Sequence, residues 1–219
     1  MTDQARCPRC HSELGIRLAG ALCPACLLRA AMDTPDEAED ADAEPPFQTI
    51  TLLSDSPSGP IFLAQPIGTT RRVALKIARN AAPGITKRFD RWRGPLVFER
   101  YAGIARVVDA GPATDGCVYI ADEFATGASL PALLRQQRLD LTARRAVFDQ
   151  VLAAVAALHL KGIAHMRLSV DRIRVVQADQ VQATVVGAGR ALLLADVEPN
   201  PAQDFVAIDQ LAFELGVSR

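Results

Sequence analysis

Four of the five cysteines lie in two close pairs, Cys7 with Cys10 and Cys23 with Cys26. The pattern is C-x2-C-x12-C-x2-C, and each pair would place two thiolates on one tight turn. Four thiolates arranged as a tetrahedron are a ligand set that zinc prefers. Zinc binding would also supply folding free energy to a segment with little core of its own. We therefore predict a zinc ribbon with a structural metal over residues 1–31, with a redox dithiol or disulfides as the alternatives.

The second stretch whose residues could take part in chemistry is GIAHMRLSVDRIRV, residues 162–175. It follows a run of apolar residues at helical spacing and ends in a strand-like Ile-Arg-Val, so it joins a helix to a strand. Its prominent polar side chains are Arg167 and Arg172. A guanidinium stays protonated and has no acceptor, so neither arginine can act as a general base.

Five motifs from Phe47 onward resemble, in order and spacing, those of the eukaryotic-type serine/threonine protein kinases of bacteria. Each motif alone is weak, and their order makes the resemblance stronger. They are VALK (73–76), VYIADEFATGASL (118–130), GIAHMRLSVDRIRV (162–175), VVGAGRALLL (185–194) and QDFVAIDQLAFEL (203–215). The resemblance implies a two-lobe kinase fold.

The resemblance also implies a nucleotide site. Lys76 matches the strand lysine that pairs with phosphates in that family, and Ala74 precedes it in the same motif. Glu123 and Ala125 fall in the stretch that binds adenine through backbone groups. The implied cofactor of this region is ATP or another nucleotide.

The departures from the family pattern fall on the catalytic positions. Arg167 stands where the family has the acid that accepts the substrate proton, and Arg172 stands where it has a metal-binding Asn. Gly187 replaces the Asp that holds magnesium. Phosphoryl transfer depends on these groups, and Mg²⁺ needs hard oxygen ligands. We therefore expect no catalytic residue and no bound magnesium.

The same residues suggest a cationic cleft. Lys76, Arg167 and Arg172 could hold a nucleotide or another anion without a metal, because arginine can replace the metal's charge. Salt bridges that hold a loop are the competing interpretation of both arginines. Asp122, at the position that borders the adenine pocket in the family, would oppose adenine binding because a buried carboxylate is costly to desolvate.

The type of secondary structure that the sequence predicts changes along the chain. Short β-like runs precede residue 125 and helical periodicity dominates afterwards, which predicts an α+β fold. The acidic segment 32–46 has seven acids and no base and is expected to be a disordered linker. The predicted domains are a zinc ribbon (1–31), the linker (32–46), a kinase-like N-lobe (47–125) and a partial C-lobe (126–219), so an incomplete lower lobe is expected.

Composition limits the partners. The 219 residues carry a net charge of −1 and are 49% hydrophobic, which gives no global argument for a nucleic-acid partner. The most apolar run, VLAAVAALHL, is too short to span a bilayer. Clustered rather than dispersed cysteines are typical of a reducing compartment, so a cytoplasmic location is expected.

These patterns favour a kinase-like protein without phosphotransfer activity that serves as a binding or regulatory module. A protein partner, either a kinase or a kinase substrate, is expected. Two alternatives stay open: a divergent but active ATP-dependent serine/threonine kinase, and a zinc-ribbon module that contacts protein or nucleic acid.

Overall fold

A computed structural model describes residues 44–79, 81–195 and 197–217. The chain divides into two compact units, Met1–Asp40 and Ala41–Arg219, and the account below concerns the second. The predicted zinc ribbon with Cys7, Cys10, Cys23 and Cys26 lies outside the described residues, and so does most of the predicted linker. These two predictions stay predictions.

The first half of the second unit is a five-stranded antiparallel sheet. Its strands are β1 (Phe47–Ser54), β2 (Ile61–Pro66), β3 (Val73–Ala78), β4 (Val107–Pro112) and β5 (Val118–Glu123). Their spatial order is β1-β2-β3-β5-β4. Each corresponds to a run that was predicted as β from its alternating or β-branched residues.

Successive side chains of β3 point to opposite faces of the sheet. Val73 and Leu75 are buried in a small core with Tyr119 and Ala121 of β5. Lys76 therefore lies on the opposite face of the sheet, which it shares with Ala74. In the register of β3 and β5, Ala74 pairs with Asp122 and Lys76 with Ile120.

Helix α1 (Ile85–Arg93) packs against β4. The sequence predicts a short or broken helix here because Gly94 and Pro95 follow, and the helix ends at Arg93. A π-helical turn, Gly94–Phe98, continues it. Pro95 sits in the first turn of that segment, where its missing N–H would be unpaired in any case.

The second half is mainly helical. It contains α2 (Leu130–Arg135), α3 (Leu141–His159), α4 (Arg190–Leu194) and α5 (Pro201–Leu215). A small antiparallel sheet is inserted between them, formed by β6 (Ala128–Ser129), β7 (Ile173–Val176) and β8 (Gln182–Val185) in that spatial order. The α+β prediction is confirmed.

Helix α3 is capped at its start by Asp140, whose carboxylate accepts from the Ala143 amide at 2.7 Å. Thr142 is also a residue type that caps helices well, but it lies two residues further on, inside the helix. On the apolar side of the helix Phe148 and Ala154 are buried, whereas Leu152 is 38% exposed.

The main core joins the two halves of the unit. Ile120 and Val107 of the large sheet, Val151 and Leu158 of α3, and Leu211 of α5 belong to one buried apolar cluster. No helix among the described residues is long and apolar enough to cross a membrane.

Candidate functional site

The Lys76 side chain is 4% exposed, and its ammonium is held by the chain's own β1–β2 loop. Its Nζ donates to the Gly59 carbonyl oxygen, to Ser58 Oγ at 3.0 Å and to Ser56 Oγ at 3.4 Å. An ammonium has three protons to donate, so the loop accounts for all of them. Burial, followed by the charges of Arg190 and Arg172, lowers the pKa of Lys76 to about 8.

Gly59 is the residue that lets this loop close on Lys76. Its φ is +107°, which residues with a side chain rarely adopt. A Cβ at this position would also clash with the carbonyl oxygen of Ile77 in β3. Only glycine therefore brings the backbone close enough for its carbonyl to reach the lysine.

Asp122, at the end of β5, forms a buried ion pair with Arg190. The Arg190 Nε donates to Asp122 Oδ2 at 2.7 Å, and its Nη2 contacts the same oxygen. Asp122 is 1% exposed, and within the described residues its other oxygen, Oδ1, has no hydrogen-bond partner. Burial raises the pKa of Asp122, and the Arg190 charge opposes that rise.

Gly187 lies between two guanidinium groups. A Cβ built on it would lie 3.3 Å from Arg190 Cδ and 3.7 Å from Arg172 Nη1. The Val186 amide donates to the Arg172 carbonyl at 2.8 Å, so the Gly187 loop lies beside the connection between α3 and β7. Burial and the neighbouring Arg190 charge lower the pKa of Arg172. The loop therefore presents bare backbone flanked by cations.

The loop after α3 is anchored by the fully buried Asp204 of α5. Asp204 accepts from the His165 and Met166 amides, both at 2.7 Å, and its Oδ2 lies 2.9 Å from His159 Nε2. Met166 has a φ of +61°, an uncommon backbone conformation that these bonds stabilise.

His165 ties this loop to the Gly187 loop. Its Nε2 lies 3.1 Å from the Val186 carbonyl, and the Arg167 amide donates to its Nδ1 at 3.3 Å. Burial lowers the pKa of His165. A neutral ring protonated on Nε2 satisfies both contacts.

Arg167 adds its charge to this region, where it contributes to the lowered pKa of Arg172. It is exposed, while Arg172 is half-buried and Arg190 is buried. The predicted cationic cleft of Lys76, Arg167 and Arg172 stays a prediction, and the structure adds Arg190, whose charge lowers the pKa of both Lys76 and Arg172. Arg167 follows the positive-φ Met166, and its side chain lies at the surface.

The predicted adenine-contact residues occupy the edge of the same region. Glu123 ends β5, and its carboxylate lies 2.6 Å from Arg71, 2.8 Å from Arg106 and 3.6 Å from Arg100. Burial raises its pKa, but the hydrogen bond and charge of Arg106 hold the pKa below its ordinary value. The Glu123 amide donates to the Arg106 carbonyl at 2.9 Å.

Ala125 follows in the connection to β6 and is half-buried, as is Ala74. The structure thus brings Lys76, Ala74 and Glu123 onto adjacent strands, and Ala125 lies two residues beyond the strand end. Ion pairs with three arginines hold the Glu123 carboxylate at this edge.

The residues present do not fit magnesium. Mg²⁺ is held in proteins by carboxylate and other hard oxygen ligands. Where the family resemblance places the two metal ligands, this chain has Arg172 and Gly187, which has no side chain. The nearby carboxylate of Asp122 is engaged by Arg190. Among the described residues, no group of three or more His, Cys, Asp or Glu side chains could hold a metal ion.

Comparisons with known proteins agree on one fold. No protein-family profile matches the sequence. The chain is 26% identical over 174 residues to the serine/threonine-protein kinase pkn2 of Myxococcus xanthus, covering 78% of this chain and 20% of that protein. It is 26% identical over 153 residues to the carbon catabolite-derepressing protein kinase of Candida tropicalis, covering 68% of this chain and 24% of the relative.

Among solved structures, a crystal structure of a double mutant of the Mycobacterium tuberculosis PknI kinase domain superposes with a TM-score of 0.63. It shares 20% sequence identity and covers 80% of this chain and 76% of that one. The chain has a protein kinase-like fold. Its relatives include bacterial serine/threonine kinases, which supports the kinase family. The chain spans about a fifth of the length of the pkn2 relative.

Within this kinase-like fold, sequence reasoning missed Arg190. It follows Gly189 in the VVGAGRALLL motif, and its ion-pair partner lies 68 residues earlier. The acid at position 122, which follows four apolar residues of β5, was the available signal. A buried carboxylate requires a cationic partner, but the sequence did not indicate which arginine supplies it.

Proposed function

We propose that this protein is a kinase-like binding or regulatory module that does not transfer phosphate. The kinase-like fold is established for the described unit, and the absence of catalysis is the proposal. Three residues support it: Arg167, Arg172 and Gly187 occupy the positions where the family resemblance places the proton acceptor and the two metal ligands.

The observation that carries the proposal is the surroundings of Gly187. The Cβ position there is flanked by Arg172 and Arg190 rather than by oxygen ligands. Phosphoryl transfer depends on positioning and on metal ions that neutralise developing charge. A loop with bare backbone between two guanidinium groups repels a divalent cation.

Asp171 does not replace the missing acid. It is exposed in the 3-10 turn Val170–Arg172. Asp122 is a second acid near the cluster, and Arg190 occupies its Oδ2. A general base must reach the proton it removes through a hydrogen bond or one water. The exposed position of Asp171 and the occupied carboxylate of Asp122 both argue against that role.

Nucleotide binding without magnesium is part of the same proposal. Lys76, Ala74 and the backbone of Glu123 and Ala125 would form the contacts, with the cationic groups replacing the charge of the metal. A protein partner, either a kinase or a kinase substrate, and a cytoplasmic location complete the proposed role. The alternative is a divergent active kinase, for which the relatives' names are the supporting observation.

A phosphotransfer assay separates the two. The full 219-residue chain would be incubated with γ-labelled ATP, Mg²⁺ or Mn²⁺, and a generic acceptor protein. The proposal predicts no label in the chain or the acceptor above that of a heat-denatured sample, with an active bacterial kinase as positive control.

The Lys76→Ala variant is the control for any label that appears with the wild-type chain. Labelling by the wild-type chain that disappears in Lys76→Ala would establish the active kinase and reject the proposal. Labelling that survives in Lys76→Ala comes from a contaminating kinase, and the proposal then stands.

A further inference from the structure

The outer face of the five-stranded sheet carries a group of arginines at the end of β5. Glu123 pairs with Val73 of β3, whose side chain lies in the small core on the face opposite Lys76. Asp122, which precedes Glu123, belongs to the cleft ion pair. Because successive side chains of a strand alternate, the Glu123 carboxylate points away from the cleft. The surface around it is therefore separate from the predicted nucleotide site.

Three guanidinium groups converge on one oxygen of this carboxylate. Glu123 Oε1 lies 2.6 Å from Arg71 Nη2, 2.8 Å from Arg106 Nε and 3.6 Å from Arg100 Nη1. Burial raises the pKa of Glu123, but the hydrogen bond and charge of Arg106 and the charges of Arg71 and Arg100 hold it below its ordinary value. Glu123 is therefore ionised at neutral pH, and we call these four residues the Glu123 cluster.

Two other acids of this region are engaged by different groups. Asp109, which pairs with Ala121 on the same face of the sheet, accepts from Tyr119 Oη at 2.9 Å. The carboxylate of Glu99 lies 2.9 Å from Lys161 Nζ. Within the Glu123 cluster one carboxylate thus meets three guanidinium groups, which leaves an excess of two positive charges.

The three arginines differ in their exposure. The side chain of Arg106 is 17% exposed, and its Nη1 also donates to the Val97 carbonyl at 2.7 Å. The side chain of Arg71 is 44% exposed and that of Arg100 is 71% exposed. A guanidinium has five N–H donors, and one contact to Glu123 leaves most of them available. Arg71 and Arg100 therefore present charged donors at the surface, above a base formed by Arg106 and Glu123.

The size of this surface indicates the kind of partner that it fits. The whole chain has a net charge of −1, so the positive charge here is local rather than general. Nucleic acids are bound by several basic groups in series along the phosphate backbone. Two exposed guanidinium groups beside each other instead match one or two carboxylates, which they can bind through paired hydrogen bonds.

We propose that Arg71 and Arg100, supported by Arg106 and Glu123, form a docking surface for an acidic segment of a partner protein. This inference rests on the proposed role as a binding module, because it names the chemistry of the partner. It does not rest on the absence of phosphotransfer, since the surface lies outside the cleft. Glu123 orients the arginines, and the partner's carboxylates neutralise the remaining charge.

Fluorescence anisotropy with a fluorescein-labelled oligoglutamate peptide tests the surface. The full chain would be titrated into the peptide at low salt, where exposed charges are screened little. Oligoglutamate should bind, and an oligoglutamine peptide of the same length should not. A phosphoserine peptide of that length is the third probe. Equal affinity for it would assign the surface to acidic segments in general, and tighter binding to phosphorylated ones; both results keep the docking surface.

Two double variants with the same change of net charge form the matched pair. Arg71→Gln, Arg100→Gln removes both exposed arginines of the Glu123 cluster, and Arg135→Gln, Arg138→Gln removes two exposed arginines near the end of α2. The first should weaken oligoglutamate binding about tenfold or more, because two ion pairs with the peptide are lost. The second should leave it within about twofold, the effect of distant screened charges.

Glu123→Gln gives a test of opposite sign. It removes the one negative charge of the Glu123 cluster while keeping an oxygen that can accept from Arg106. Oligoglutamate should then bind about threefold more tightly or better, because three arginine charges face the peptide. A residue that serves only to hold the arginines in the fold would not produce this gain.

Far-ultraviolet circular dichroism would check that each variant folds. If the first double variant does not, Arg100→Gln alone replaces it, because Arg100 is the most exposed of the three arginines. Absence of binding by the wild-type chain, equal weakening in the two double variants, or unchanged affinity in Glu123→Gln would overturn the docking surface. None of these results bears on phosphotransfer, which the labelling assay measures separately.

Discussion

At the scale of single residues, the site is defined by which groups compensate each charge. Asp122 compensates Arg190, and the β1–β2 loop compensates Lys76 with neutral oxygens. A neutral acceptor stabilises an ammonium less than a carboxylate does. Burial and the neighbouring arginines therefore determine the protonation of Lys76.

Removing the Arg172 charge should raise the pKa of Lys76. In the wild-type chain burial, Arg190 and Arg172 hold this pKa at about 8, below the ordinary value of 10.5. Arg172→Gln deletes one of the repelling charges, so the pKa should move toward the ordinary value. The ¹³Cε chemical shift of Lys76, followed by NMR against pH, measures it directly.

Arg167→Gln serves as the control, because Arg167 is not among the charges that shift Lys76. A Lys76 pKa that is unchanged in Arg172→Gln, or that changes equally in both variants, would show that the two side chains are not neighbours in solution.

The same shift gives a pH dependence of folding stability. The pKa of Lys76 is lower in the folded state than in the unfolded chain, so the unfolded chain binds more protons between about pH 8 and pH 10.5. Stability contributed by this group therefore rises with pH across that window. Relative to Lys76→Met, the wild-type chain should gain in free energy of unfolding from pH 8 to pH 10, as measured by urea titration. A relative loss over that interval would contradict the lowered pKa.

At the scale of elements, α5 positions the loop that follows α3. Asp204 accepts two loop amides and contacts His159 at the end of α3, so one carboxylate joins three segments. The bonds also hold Met166 in its positive-φ conformation. The start of the loop that leads to Arg172 is therefore anchored by a residue of α5.

Asp204→Asn should loosen this loop. An amide can replace one oxygen acceptor, but its NH₂ group would face a backbone N–H donor. The free energy of unfolding should fall by about 3 kcal/mol, the order expected when a buried donor loses a charged acceptor. Hydrogen exchange of the His165 and Met166 amides should accelerate together with this loss.

His159→Gln is the matched control for that variant. It removes a side chain that contacts Asp204 but leaves both loop amides bonded. Its amide exchange at positions 165 and 166 should stay close to wild type. Equal acceleration of amide exchange in both variants would contradict this account, because the contact between Asp204 and His159 would then matter as much as the two amide bonds.

Much of the element order could be predicted from the sequence, because strands and helices carry different apolar periods. The loop between α3 and β7 was predicted from the motif GIAHMRLSVDRIRV, as a helix-to-strand connection that resembles a kinase motif. The Asp122–Arg190 pair could not be predicted in this way, since it depends on a tertiary contact between β5 and the segment before α4. The closure of the β1–β2 loop on Lys76 was also not predicted, because it depends on contacts of Ser56, Ser58 and Gly59 with a neighbouring strand.

At the scale of the whole molecule, the described unit accounts for the kinase-like fold and the cationic cluster. The remaining chemistry of the sequence lies in the cysteine pairs of residues 1–31, outside the described residues. The four-thiolate pattern predicts one structural zinc ion, independent of any function assigned to the second unit.

The purified chain should therefore contain about one zinc per chain, as four-thiolate sites bind a single ion. Elemental analysis by plasma mass spectrometry measures the ratio. Cys23→Ser removes one thiolate and should release the metal, whereas Cys117→Ser should not, because Cys117 lies beside β5 in the other unit. Zinc retained in Cys23→Ser would reject the predicted ligand set.

The central claim, that guanidinium groups and bare backbone exclude the metal, is tested most directly by the effect of Mg²⁺ on ATP affinity. Titration calorimetry would compare the wild-type chain with the double variant Arg172→Asn, Gly187→Asp, which restores both family metal ligands. For the wild-type chain, Mg²⁺ should leave ATP binding unchanged or weaken it, because the metal neutralises charge on the phosphates. The double variant should instead bind ATP more tightly with Mg²⁺. Wild-type binding that tightens about tenfold when Mg²⁺ is added would contradict the account.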